Sequence, residues 1–582
     1  LAGGGFVITL LIGHRGTGKS TLLRRLEPLF LDRQGYLMRD LDVEIEAFHR
    51  RSVDSIFAQL GEAEFRRFET STFEHLCREH DSATHLILAV GAGFEFAVPQ
   101  DARVVWVRRP TDEQGRVFLD RPSLGEKKDP LKIWRERFGP RDQRYRELAH
   151  EELFLPEGSL HDTILEEHFF AKNIRTLPYC LSALPENFKV PQFFTERLPW
   201  KLKFLEVRDD LLTTLQITRL QEIWPKENLL HAVRKTPLTS RPLAGAVDWP
   251  FEFGMPPFPV EILSLHEKSK TLAETIARFP KSDAILKLAV PIETFAELLE
   301  GHRWWQKDPL KRSFLPSSKT GRWQWYRQLF GPKMPLHFFR EGDGTSSDQP
   351  YLWQALTALK WNDHFAAVLG SPVHHSWTPS FQREFFDGKV IPVVAIDVQE
   401  NEWNTALPIL QELGLKFAAV TSPHKLNAFK SAGSRVSEEA KKFASVNTLV
   451  STESGWYGHN TDLKGLSGLF YGEFKDDDKI TVWGGGGTRE LLKDILPNAE
   501  FVSAREGMQL TGPTQMVWAV GRSRAFQWPM PAVFIQSVID LNYSEDSPGR
   551  EIALLAGCSY KSGETMFIQQ GLAQQEFWKR YV

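Results

Sequence analysis

Residues 13–20 read Gly13-His14-Arg15-Gly16-Thr17-Gly18-Lys19-Ser20. Glycines at Gly13, Gly16 and Gly18 let backbone N–H groups wrap around phosphate oxygens where a Cβ would obstruct them. Lys19 is spaced to reach the β- and γ-phosphates, and the Ser20 hydroxyl, followed by Thr21, is spaced to ligate Mg²⁺. The apolar run FVITLLIG precedes the loop and STLLRRLEPLF follows it. Strand, glycine loop and helix in that order predict a phosphate-binding loop for ATP. A chance Gly-rich turn would lack that setting.

The pattern continues outward. Short Val/Ile/Leu runs (HLILAVG, ARVVWVRR) alternate with charged amphipathic stretches as far as residue 168. That alternation predicts βαβ units around a parallel sheet. The Pro-rich NIRTLPYCLSALPENF breaks it. A second alternating block spans 172–358, EGDGTSSDQP marks the next break, and a third block spans 362–582. The chain has 582 residues, 42% of them hydrophobic, enough for several cores at ~150 residues per domain. A net charge of -3 gives no reason to expect nucleic acid as partner. Three scattered cysteines (Cys77, Cys180, Cys558) argue against a disulfide framework or zinc site and fit a reducing compartment. No apolar run reaches the ~20 residues of a membrane span. A cytoplasmic location is the expectation.

Beyond the loop, the first block carries RDLDVEIE, GEAEFRRFE, AVGAG, DRPSL and RYRELA. In that order they resemble shikimate kinase. The resemblance implies Asp40 near Mg²⁺ and Asp42 on the acceptor hydroxyl. It also implies Arg66 and Arg146 on the substrate carboxylate, Gly91 and Gly93 beneath the ring, and Arg121 over the transferring phosphate. Ala92 stands where that family has a third glycine.

In the second block, Lys287 lies inside AILKLAV. A lysine in an apolar run is costly unless it is paired or used, and desolvation frees its amine to attack a carbonyl. FLEVRDDLL, HAVRKTP, LSLHEKSKT and this run together resemble type I 3-dehydroquinate dehydratase, a (β/α)₈-type barrel. The resemblance implies Lys287 as imine-forming lysine and His266 as general acid and base. Glu206, Arg208 with Asp210, Arg234, Arg327 and Gln349 would bind substrate. The block is short for eight full βα units, so a trimmed barrel is expected.

In the third block, AAVLGSPVHHSWTPSF, AVTSPHKLNAF, ASVNTLV and GHNTDLKGL resemble shikimate dehydrogenase, with its substrate half at 362–465 plus a C-terminal helix at 565–582. Ser376 and Thr378 would hold the carboxylate, Lys425 and Asp462 would be the catalytic pair, and Asn447 and Gln570 would complete the polar contacts. VWGGGGTRE, after a strand and before a helical run, predicts the Rossmann turn of an NADP-binding half at 466–564, with Gly484, Gly486 and Gly487 at the pyrophosphate. Arg505, assisted by Thr488 or Arg489, would take the 2′-phosphate of NADP(H), and Tyr543 lies in the same half. The stretch from Arg505 to Asp540 looks abbreviated.

Kinase, dehydratase and dehydrogenase in this order resemble the last three domains of the fungal pentafunctional arom proteins. The resemblance implies a homodimer acting on small ring carboxylates: 3-dehydroquinate, 3-dehydroshikimate and shikimate. A second reading stays open. The fungal quinate repressor resembles the same three domains, and a regulator of that kind would bind the metabolites without turning them over. A chain with one or two of the three activities is the intermediate case.

Overall fold

A computed structural model describes residues 8–20, 22–23, 36–79, 85–100, 102–108, 130–154, 179–189, 193–198, 201–340, 344–351, 361, 363–373, 376–387, 389–521, 525–543 and 547–582. Thr21 and Arg121 lie outside them.

The first block forms five parallel strands, β1 (Ile8–Ile12), β2 (Tyr36–Asp40), β3 (His85–Ala89), β4 (Ala102–Arg108) and β5 (Glu151–Phe154), in the order β2-β3-β1-β4-β5. β1 is buried throughout, as its unbroken apolar run requires of a central parallel strand. Helices α1 (Leu41–His49), α2 (Val53–Glu79) and α3 (Pro130–Leu148) belong to this block. Asp40 caps α1 by accepting from the backbone N–H of Asp42 at 3.1 Å.

The second block builds eight parallel strands: β6 (Cys180–Ser182), β7 (Phe204–Arg208), β8 (Leu229–Ala232), β9 (Ala246–Pro250), β10 (Ile262–Leu265), β11 (Ile285–Leu288), β12 (Arg312–Phe314) and β13 (Phe338–Phe339). They are hydrogen-bonded in sequence order, except that β13 returns to pair with β6. No ladder joins β12 to β13 among the described residues. There the Leu336 N–H donates to Ser313 Oγ at 2.9 Å. The β8–β9 connection (233–245) has no helix, and β9–β10 has only the 3₁₀ turn Phe251–Phe253. Elsewhere helices such as α4 (Thr214–Ile223), α5 (Leu272–Ala277) and α6 (Phe295–Gln306) each begin with a reciprocal capping box. Val233, Val247, Trp249 and Leu263 pack with Phe253 and Phe258 in a small apolar cluster from the same strands and loops.

The third block holds two five-stranded sheets. β14 (Phe365–Gly370), β15 (Val393–Asp397), β16 (Leu415–Val420), β17 (Thr448–Thr452) and β18 (Gly455–His459) run in the order β15-β14-β16-β17-β18, the last two added antiparallel. β19 (Ile480–Gly484), β20 (Glu500–Val502), β21 (Thr514–Ala519), β22 (Ile535–Asp540) and β23 (Ser559–Lys561) run β20-β19-β21-β22-β23, all parallel. The expected abbreviation is visible here. Residues 503–513 join β20 to β21 without a helix.

By internal contacts the chain divides into two compact units, residues 1–164 with 461–574, and 165–460 with 575–582. Within the second, the middle block and the β14–β18 sheet share one hydrophobic core. Trp325 and Trp361 meet Phe365 there, and Phe330 meets Trp361. Arg303 of α6 pairs with Glu412 of α7 (Trp403–Glu412) at 2.8 Å, but this exposed pair adds at most ~1 kcal/mol. The apolar contact decides. Phe365→Ala is expected to cost ~3–5 kcal/mol, and to lower one joint unfolding transition of both blocks in calorimetry. Separate transitions, with only one moving, would contradict the shared core.

Two buried histidines make this unit acid-sensitive. Burial pushes His302 down to about 4 and His337 down to about 3. An unfolded chain takes up these protons near pH 6.5, so stability present above that value is lost as pH falls toward 4. The slope is ~1.4 kcal/mol per pH unit for each group in that window. The urea midpoint followed from pH 7 to 4 should drop, and His337→Leu should flatten part of the drop.

Candidate active sites

The turn after β1 places Lys19, buried, with its Nζ donating to the carbonyls of Gly13 at 2.8 Å and His14 at 3.0 Å. Gly16 and Gly18 have φ of +87° and +94°, and a Cβ on Gly13 would come within 2.4 Å of the Val107 carbonyl. Positive-φ glycines of this kind let backbone N–H groups turn inward toward phosphate oxygens.

Asp42 enters the same pocket from α1. Burial, then the neighbouring Asp40, raises its carboxyl above the usual range. Arg66 of α2 bonds Glu69, which is fully buried, at 2.5 Å. A Cβ on Gly91 would lie 2.4 Å from Glu69 Oε1. One on Gly93 would lie 2.5 Å from the guanidiniums of both Arg66 and Arg141. The two glycines let the Glu69 carboxylate and the two guanidiniums lie close against this loop. Ala92 is accommodated, its carbonyl accepting from the Tyr145 hydroxyl. Arg146, expected beside Arg66, instead has a side chain 70% exposed and pairs with Asp142 at 3.1 Å. Arg141, five positions earlier on α3, meets Arg66 at Gly93. Burial lowers the Arg141 guanidinium from its ordinary value. The sequence reading missed Arg141 and Glu69. The spacing of Arg141 from Tyr145, one helical turn, was the available signal.

In the middle block, Glu206, Arg208, Arg234, His266, Lys287, Arg327 and Gln349 all line one cavity. They come from the carboxyl ends of β7, β8, β10 and β11 and from two later segments. Lys287 lies opposite Ser264 in the β10 register. Its Nζ donates to Asp248 Oδ2 at 2.7 Å and lies 3.7 Å from Glu206 Oε1. Arg234 reaches the same Asp248 oxygen at 2.5 Å. Burial alone would raise the Asp248 carboxyl. Arg234 and then Lys287 hold it below the usual carboxylate range. His266 is held well below 6.5 by burial, with Arg234 and Lys287 adding to the effect, and its Nε2 lies 3.0 Å from Ser264 Oγ. The ring is therefore neutral at pH 7 and able to accept a proton. Arg208 is clamped by Asp210 at 3.0 and 2.7 Å. Burial pushes Arg327 down to about 10. Gln349 is fixed by Thr345 through two bonds of 2.9 Å. Asp248 and Ser264 were not singled out in the sequence, because strand pairing, not spacing, brings them to Lys287.

In the third block, Ser376 donates to Thr378 Oγ1 at 3.1 Å, both buried. Lys425 opens helix α8 (Lys425–Ala432), and Asn447, buried, immediately precedes β17. In the other unit, Asp462 opens α9 (Asp462–Phe470) and is buried. One turn on, Gly465 would meet Met566 and Gln570 of α11 (Glu564–Trp578), so Gln570 lies at that helix contact. After β19, Gly484, Gly485 and Gly486 all have positive φ, and Thr488 closes the turn by donating to the Gly485 carbonyl at 2.8 Å. A short helix α10 (Arg489–Ile495) follows. The tight glycine turn is the feature a dinucleotide pyrophosphate needs. Arg489 turns toward Phe501 of β20, its guanidinium carbon 5.5 Å from the ring centre, whereas Arg505 is exposed just beyond that strand. Tyr543 packs on Phe567 at 4.9 Å.

Residues 15–165 match the shikimate kinase family model, and residues 368–449 match that of the shikimate dehydrogenase substrate-binding domain. The chain joins a shikimate kinase domain to a shikimate dehydrogenase domain. The dehydrogenase domain is 27% identical to an NADP-dependent shikimate dehydrogenase of Syntrophobacter fumaroxidans over 255 residues, covering 36% of this chain and 86% of that protein. It is 33% identical to the Hyphomonas neptunium enzyme of the same name over 137 residues, covering 23% of this chain and 50% of that protein. It is 28% identical to the Xanthomonas euvesicatoria enzyme over 260 residues, covering 36% and 89%. Among the described residues no helix is long and apolar enough to cross a membrane.

Proposed function

We propose that the chain is a trifunctional enzyme that dehydrates 3-dehydroquinate, reduces 3-dehydroshikimate with NADPH and phosphorylates shikimate with ATP and Mg²⁺. The observation that carries the dehydratase, the step least supported by likeness to other proteins, is the cavity in which Lys287 faces Asp248 and a neutral His266. The eight-stranded sheet is read as a barrel trimmed at two of its outer connections and closed without a ladder between β12 and β13.

In the dehydratase, Asp248 orients Lys287, whose ammonium gives up its proton to the substrate's ketone oxygen. The Nζ lone pair adds to the substrate ketone, and water leaves to form an iminium. Its positive charge acidifies the neighbouring C–H, whose proton passes to His266 while the electron pair moves to nitrogen. The enamine then expels the β-hydroxyl as water with the proton returned by His266, and a second water releases the product. Arg208, Arg327 and Gln349 hold the ring's carboxylate and hydroxyls.

In the dehydrogenase, the glycine turn after β19 (Gly484, Gly486 and Gly487) would hold NADP(H), whose chemistry when bound would be hydride donation to the carbonyl carbon. Lys425 gives the oxygen its proton, and Ser376 and Thr378 bind the carboxylate. In the kinase, Asp42 accepts the proton of the attacking hydroxyl, while Lys19 neutralises charge on the phosphates. Arg66 and Arg141 bind the carboxylate, with Arg141 taking the role first given to Arg146.

Purified chain supplied with 3-dehydroquinate, NADPH and ATP·Mg²⁺ should accumulate shikimate phosphate. Omitting NADPH should stop the sequence at 3-dehydroshikimate, and omitting ATP at shikimate. Metabolites that raise the melting temperature without any turnover would sink this reading and favour a binding regulator.

A further inference from the structure

His14 is the second residue of the phosphate-binding loop, and its ring is buried. It stacks on Phe138 with centroids 4.4 Å apart and planes 13° apart, and meets Tyr145 edge-on at 5.1 Å. Its Nε2 lies 3.4 Å from Asp142 Oδ1. Burial holds the ring down to about 4, so it is neutral at pH 7. Its own carbonyl accepts from Lys19 Nζ at 3.0 Å and from Thr17 Oγ1 at 3.0 Å. One residue thus touches the nucleotide-binding lysine through its backbone and α3 through its side chain.

The partners on α3 follow helical spacing. Phe138, Arg141, Asp142 and Tyr145 are i, i+3, i+4 and i+7, one face of the helix. Three of them hold the His14 ring. The fourth, Arg141, meets Arg66 at Gly93. Tyr145 also donates to the Ala92 carbonyl, and Arg144 to that of Phe94. The same helix therefore fixes the phosphate loop on one side and the Gly91–Gly93 loop on the other.

We propose that His14 is a positioning residue for phosphoryl transfer, locking the phosphate loop to the Arg141 face of α3 so that nucleotide and ring acid each strengthen the other's binding. The proposal rests on the kinase reading above. A displacement of the phosphate loop on nucleotide binding has to move α3 with it, because a stacked, buried ring cannot slide without opening a void. The resulting coupling is reciprocal by linkage.

Calorimetric titration of the full chain with shikimate, alone and with saturating MgADP, reads the coupling directly. We expect MgADP to tighten shikimate binding in the wild type by at least ~5-fold, and by less than ~2-fold in His14→Ala. His14→Phe keeps the stack and should retain most of the coupling. Phe138→Ala, which opens the stack from the helix side, should lose it, and carries the test if His14→Ala does not fold. In turnover, His14→Ala should raise the KM for shikimate about 10-fold with kcat changed less than about 3-fold. Wild-type coupling in both His14→Ala and Phe138→Ala would overturn the proposal, as would a wild type that turns over both substrates with no coupling. A wild type without shikimate-dependent ATP turnover, but with coupling that His14→Ala loses, would overturn the kinase reading and with it the phosphoryl-transfer role, leaving only the coupling of the two binding sites through His14.

Discussion

Lys287→Ala should eliminate dehydration of 3-dehydroquinate, by about 10⁴-fold or more, and leave shikimate-dependent ATP turnover within about twofold. Loss of the amine removes the covalent route altogether. General acid–base assistance from His266, worth ~10²–10⁴ in rate, has no iminium to act on. Borohydride added with substrate should fix one substrate-derived group per chain, on the peptide containing Lys287. The variant should take up none. His266→Ala should still be labelled, because the iminium forms before the histidine acts, yet turn over poorly. The pH profile adds a separate check. His266 is held well below 6.5 by burial, Arg234 and Lys287, so its neutral form persists as pH falls from 8 to 6. The rate should show no histidine step in that interval. Unchanged turnover in Lys287→Ala, or label on another lysine, would remove the dehydratase from the proposed function.

What was legible in the chain follows from the range of the interactions involved. The phosphate loop is local: eight consecutive residues specify both the turn and the chemistry, and β1 and its glycines fold as that order requires. The Lys287 strand was legible for a different reason, because a cation inside AILKLAV demands an explanation. Its partner Asp248 was not. AVDWP reads as an ordinary buried strand, and only strand pairing, with Asp248 opposite Ile262 and Lys287 opposite Ser264, brings the Lys287 side chain within reach of it. The shortness of the middle block was countable, but not its place. The absent helices fall after β8 and β9, and the Phe253 and Phe258 loops pack on the strands there. The dehydrogenase residues were recognisable as a set of short motifs. The abbreviated stretch from Arg505 to Asp540 was visible as missing length, and within it residues 505–513 reach β21 without a helix.

The assignment most altered by the structure gives the second large effect. Arg141→Ala should lower kcat/KM for shikimate in the kinase assay by about 10²–10³-fold, while Arg146→Ala changes it less than about twofold. Both arginines lie in RDQRYRELA, and the family resemblance of RYRELA pointed to Arg146. At 3.6 residues per turn, five positions rotate a side chain by roughly 140°, so the two cannot share a face. Arg141 is on the face that meets Gly93 and Arg66. Arg146 makes an exposed i,i+4 pair with Asp142, worth only a few tenths of a kcal/mol. Removing a buried cation that binds an anionic ligand costs ~2–5 kcal/mol, much of it from leaving the carboxylate and Arg66 poorly matched. The loss should appear mainly in KM, because the carboxylate is bound alike in the ground and transition states. Arg141→Lys should recover little, since a point charge cannot reproduce the planar fork whose Nη2 reaches Gly93. If instead Arg146→Ala carries the loss, then α3 turns its other face to the substrate, and the contacts made by Phe138, Asp142 and Tyr145 with His14 are not those of the working kinase.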